Sequence, residues 1–125
     1  MHKEALHAHD RGSERLNLSS ASIDEIQKAV DRMWFSGGSK KLTGDNYYSD
    51  IRDPKRNLLG YAVYKRIGNL QKRPRLVLAS ILNKDMKPKG GNISSFFQTQ
   101  IKDNGVKLHI PKMHEGFPPL PNNSN

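Results

Sequence analysis

The chain contains no cysteine. That removes disulfide frameworks, thiolate nucleophiles and cysteine-based zinc sites, so a metal would have to rest on histidine and carboxylate ligands alone. No run approaches the roughly 18 consecutive apolar residues of a membrane-spanning helix. The opening residues MHKEALHAHD also lack the apolar centre of a signal peptide. The expectation is a protein without membrane contact that works in the cytoplasm, in a host cytoplasm or a virion if the gene belongs to a phage. Apolar residues are sparse as well. They make up 34% of 125 residues, with a mean hydropathy of −0.78, which suffices for one modest core. The basic stretches KPKGG and SGGSKK lack the spacing of a Walker motif, so P-loop nucleotide hydrolysis is excluded. Neither a cofactor nor a metal is expected.

What the chain has in excess is positive charge, a formal +9. Its placement says more than its size. Between Arg52 and Lys89 there are eleven Lys or Arg against Asp53 and Asp85, which accounts for the whole excess, and the rest of the chain sums to zero. Segregated charge of this kind is the footprint expected for phosphate groups.

Residues 3–16 can form a first helix with a narrow strip of Ala5, Leu6 and Ala8, weakened by Gly12. A second helix is signalled more strongly, by a Ser22–Glu25 capping box followed by Ile26, Ala29, Val30 and Met33 at helical spacing, and it should stop at Ser36-Gly37-Gly38. From 38 to 57 the chain reads as a long polar loop carrying Tyr47 and Tyr48. LLGYAVYKRI (58–67) and RLVLASIL (75–82) read as strands, with a linking segment short enough to pair them antiparallel. A short helix is expected near Ser94, and GVKLHI (105–110) alternates as an edge strand. The end, PKMHEGFPPLPNNSN, carries four prolines and favours an extended path. The resulting expectation is an α+β fold: two N-terminal helices packed on a small antiparallel sheet, in one basic domain over 1–110 (core about 7–92), with an extended Pro-rich tail at 111–125.

On a helix, His7, Arg11 and Arg15 lie at i, i+4 and i+8 and share a face, with Glu14 beside Arg11. Imidazole moves protons near neutral pH, and guanidinium holds phosphate bidentately, which are the tools of in-line RNA cleavage. A solvated charged face with an internal Arg11–Glu14 pair accounts for the same residues. His9 points away from His7, so the pair is a poor metal site. The strands and the loop after them add Lys65, Arg66, Arg75 and Ser80, then Lys84, Lys87 and Lys89, and Lys72 and Arg73 belong at the hairpin tip. The four tyrosines, Tyr47, Tyr48, Tyr61 and Tyr64, would either stack on unpaired bases or sit half-buried in the core.

The order of HAHDRGSERLNL, a capped helix, then GYAVYKRI and RLVLASIL with a basic loop resembles the small RelE-like and colicin-D-like domains of the barnase, EndoU, colicin and RelE ribonuclease superfamily, over roughly His7 to Asn92. Many members occur in phage and toxin systems. The resemblance implies metal-independent RNA cleavage, with His7 or Arg11 as the helix contributor, Lys65 or Arg66 on the phosphate and Ser80 as the hydroxyl. The chain departs from that pattern in having few strands and no second histidine within them, since His109 and His114 fall in the C-terminal extension.

Two readings stand side by side. One is a nucleic-acid-binding domain, RNA before DNA, that cleaves without metal; its catalytic residues are His7, Arg11 and Ser80, and its binding residues are Arg15, Lys65, Arg66, Lys72, Arg73, Arg75, Lys84, Lys87 and Lys89. The other is a non-enzymatic structural component of a phage particle or other assembly, which contacts nucleic acid or acidic partners and docks through residues 111–125 on a protein that orders them.

Overall fold

Helix α1 runs from Ser20 to Phe35 in a computed structural model that describes residues 10, 15–35, 44–67, 75–86, 89–93, 98–103 and 105–117, with backbone alone at 33–35, 89–93 and 117. Ile23, Ile26, Ala29 and Val30 are all buried, a single stripe at helical spacing that packs on the sheet. The cap lies three residues before the expected one. Ser19 Oγ accepts the Ser22 backbone N–H at 3.2 Å, so Ser19 is the N-cap residue and Ser22 is buried in the first turn.

Seven strands follow: β1 (Asn46–Arg52), β2 (Leu58–Ile67), β3 (Arg75–Asn83), β4 (Lys89–Ile93), β5 (Thr99–Asp103), β6 (Val106–Ile110) and β7 (Met113–Phe117). Every pairing is antiparallel. The order is β3-β2-β1-β6-β5, with β7 also on β1 and β4 outside β7. Thus β6 and β7 form one long run beside β1, broken at Pro111 and Lys112. Pro111 lies between the two ladders, where its missing N–H removes no ladder bond. The Asp103↔Val106 register leaves two residues for the β5–β6 turn, and Gly105 takes the left-handed conformation there (φ 82), which such hairpin turns favour in glycine.

The expected two helices on a small sheet are therefore replaced by one complete helix among the described residues and a curled, mostly β architecture. Of the first predicted helix only Asp10, Arg15 and Leu16 fall within the described residues, and the helix expected near Ser94 lies outside them. The long loop at 38–57 contains β1. Its inward positions are Tyr47, Ser49 and Ile51, all buried, and the polar Ser49 hides the apolar alternation by bonding Tyr64 Oη at 2.8 Å inside the core. The expected extended tail supplies β7, because Met113 is fully buried and residues 113–115 pair with β1. Residues 118–125 lie outside the described residues.

A bulge fixes the phase of β3. Val63 opposes Ser80 and Tyr64 opposes Leu78, so Ala79 is the extra residue. Leu76, Leu78 and Ile81 thereby share the helix-side core with Tyr64 and Ile26. Leu82 turns to the other face, against Tyr48, Tyr61 and Val63. This is why RLVLASIL reads as continuously apolar.

Helix α1 spans the sheet from edge to edge, packing against β3 and β5, and its polar side chains reach the backbone of both. Gln27 Nε2 donates to Leu76 O at 3.1 Å and Gln27 Oε1 accepts from Leu78 N at 2.7 Å, copying a strand neighbour along β3. On the far edge Ser22 Oγ lies 2.9 Å from Lys102 O and 2.7 Å from Asp103 Oδ1. Asp103 Oδ1 also accepts the Ser19 N–H at 3.0 Å.

Candidate nucleic-acid interface

The basic segment 52–89 is continuous in sequence but divided in space. The β2–β3 ladder runs from Gly60↔Asn83 to Ile67↔Arg75, a span of about 23 Å at ~3.3 Å per residue. At one end lie Lys65, Arg66 and Arg75, with Lys72 and Arg73 in the link between the strands, outside the described residues. At the other end the turns after β1 and β3 present Lys55, Arg56 and Lys84, all exposed.

Local acids hold several of these cations. Arg66 Nη2 is 3.3 Å from Asp45, whose side chain is 74% exposed, and Arg75 Nη2 is 3.2 Å from Asp31 of α1. Such exposed pairs contribute little, about 0–1 kcal/mol, and yield readily to a phosphate. Arg52 is held more firmly. It donates through Nε at 3.1 Å and Nη2 at 2.7 Å to Asp50 Oδ2, and through Nη1 to Arg56 O at 2.8 Å. In the turn, Asp53 accepts the Lys55 and Asn57 backbone N–H groups, each at 2.9 Å. Those backbone bonds, the Asn57 bond first, hold its carboxyl below the usual range. Asp53 therefore shapes the loop that presents Lys55 and Arg56.

The expected catalytic set is only partly placed. His7, Arg11 and Lys87 lie outside the described residues, and Lys89 is described as backbone at the start of β4. Arg15 Nη1 donates to Ile81 O at 2.7 Å, so it binds the outer backbone of β3 and stands one residue from Ser80. Ser80 itself is half-buried on the face away from α1, opposite Val63.

Tyr47 and Tyr64 are core residues, and Tyr48 and Tyr61 are only 7% and 6% exposed. Stacking on bases is thus closed to all four. Burial first, and the Asp50 carboxylate second, push the Tyr48 and Tyr61 hydroxyls upward. The two rings meet edge to face at 5.9 Å, and His114 stacks on Tyr48 at 5.0 Å.

The sequence reading missed the place of the late histidines. His109 registers against Arg52 and His114 against Tyr48, so both belong to the sheet face opposite the helix. His114 Nδ1 is buried with no hydrogen-bond partner among the described residues. The one available signal was the alternation of VKLHI, which assigns His109 to the face opposite Leu108.

Among the described residues no helix is long and apolar enough to cross a membrane. Nor does any group of three His, Asp or Glu side chains there have the arrangement to hold a metal. No family model, curated protein or solved structure matches this chain.

Proposed function

We propose that this protein binds RNA through its backbone phosphates, without reading sequence, using the cations at the ends of the β2–β3 hairpin. The observation that carries the reading is the confinement of the whole +9 excess to residues 52–89, which the hairpin turns into exposed cationic sets at its two ends. The buried tyrosines support phosphate contact over base contact, since stacking platforms need an open ring face. The RelE-like resemblance favours RNA over DNA and adds a catalytic proposal centred on His7, Arg11 and Ser80.

An assembly role needs less of the tail than expected, because residues 113–117 take their order from β1 and β4 within the chain.

The test is a titration of a fluorescent 20-nucleotide single-stranded RNA between about 50 and 200 mM salt. With five phosphate contacts, log K should fall against log salt with a slope of about −3.5, from ~0.7 per contact on single strands. Absence of binding at the lowest salt, or binding indifferent to salt, refutes the proposal. The same samples, incubated in EDTA, report cleavage. Loss of cleavage in a folded His7→Ala variant assigns catalysis to His7, and unchanged cleavage in that variant removes it.

A further inference from the structure

The two segments outside 52–89 together sum to zero, yet the fold brings lysines of the second together on one surface. Ile101 and Leu108 face the helix-side core. Their neighbours Gln100, Lys102, Lys107 and His109 therefore project from the opposite face of the β5–β6 hairpin. The register sets Lys102 directly against Lys107 and Gln100 against His109.

The Lys102 carbonyl accepts from Ser22 of the helix at 2.9 Å, so it points away from β6. That marks Lys102 and Lys107 as a non-hydrogen-bonded pair, the class whose Cα atoms lie about 4.5 Å apart and whose side chains run closest. Both lysines are exposed. Like charges directly opposed across a sheet destabilise it, and among the described residues no unengaged acid on that face offsets them. Asp103 turns to Ser19 and Ser22 on the helix side, and Asp50 is engaged with Arg52.

We infer that Lys102, Lys107 and His109 form a phosphate-binding site on the β5–β6 hairpin, with the Gln100 amide as a neutral donor. Resting on the proposed RNA binding, this site extends the RNA path to a hairpin outside the charge-rich segment 52–89. Arg52 registers against His109, which makes this site continuous with the sheet end that carries Lys55 and Arg56. A phosphate between the two ammonium groups turns their repulsion into shared attraction.

The same RNA titration tests it. Lys102→Gln/Lys107→Gln should weaken binding about 25-fold at 0.1 M salt and flatten the slope by about 1.4, from ~0.7 decade per lost contact. Its thermal midpoint should equal or exceed that of the parent. Lys107→Glu gives a second variant: it creates an attractive cross-strand pair, keeps the fold and should weaken binding further. Lys28→Gln, an exposed change on the helix, controls for net charge. If the parent binds and the double variant matches it in affinity and slope, the site is refuted while RNA binding stands. Equal loss per charge in Lys28→Gln also refutes it, since net charge would then suffice. A parent that does not bind refutes the proposed function itself.

Discussion

Replacing Asp103 by Asn keeps the shape of the side chain and removes its charge, at the point where helix α1 is fastened to β5. The carboxylate Oδ1 accepts the Ser19 N–H at 3.0 Å and stands 2.7 Å from Ser22 Oγ. It therefore supplies an anion to the N-terminus of α1 and satisfies a backbone donor there. Burial raises its pKa, but the bonds from the Ser19 N–H, then the Ser22 and Ser19 hydroxyls, outweigh burial and leave the group below its ordinary value. An amide oxygen still accepts from Ser19, so the Asn variant loses the charge alone. Its cost should be about 1 kcal/mol, the upper end of a surface charge–dipole contribution. Asp103→Ala, which strands the Ser19 N–H while Ser22 keeps the Lys102 carbonyl, should cost about 1–3 kcal/mol.

The pH profile is the sharper test. Because the folded pKa is depressed, the stabilisation is fully present above the unfolded value of about 4 and is lost as pH falls through the folded one. Urea melts of parent and Asn variant should therefore differ by a constant amount between about pH 5 and 7, and converge below about pH 4. Equal stability at neutral pH, or a gap that persists undiminished into acid, would show that Asp103 does not hold the helix in this way.

Two further outcomes follow from the core. A Cβ at Gly60 would collide with the Leu82 carbonyl oxygen and the Leu16 side chain, so Gly60→Ala should lower stability by about 1–3 kcal/mol in denaturant melts, as overpacking does. Tyr64→Phe leaves the buried Ser49 hydroxyl without its 2.8 Å partner and should cost about 1–3 kcal/mol. Adding Ser49→Ala to that variant should recover part of the loss, and purely additive losses in the cycle would deny the pair any coupling.

The elements that were legible in the sequence are those whose local signal agrees with their final environment. Helix α1 shows a single apolar stripe, and the β2–β3 hairpin has two strong strand formers with a short link. Strand β1 was hidden because its inward series includes Ser49, whose burial is offset by Tyr64 from another strand. Strand β7 was hidden by prolines on either side of MHEGF, which read as an extended tail although Pro111 interrupts no ladder. The bulge at Ala79 left no mark in RLVLASIL, since both phases of that strand are apolar.

The candidate site was legible only as charge along the chain. Strand alternation and hairpin reversal distribute that charge to two ends, and a linear count does not contain this step. Lys102 and Lys107 lie outside the charge-rich segment and meet only through the β5–β6 register. Arg15, expected on a phosphate, holds the Ile81 carbonyl, and among the described residues no strand lies outside β3.

That occupancy has a consequence for how the molecule behaves in company. An outermost strand is a template on which other chains can add, and proteins guard such strands against edge-to-edge aggregation. Here Gln27 and Arg15 occupy the outer groups of β3, and Ser22 occupies the Lys102 carbonyl of β5. Through Gln27 and Ser22, helix α1 thus covers the rims at β3 and β5. Any change that loosens it uncovers a sticky β3 margin, so variants weakened at the α1 N-terminus should self-associate before they unfold.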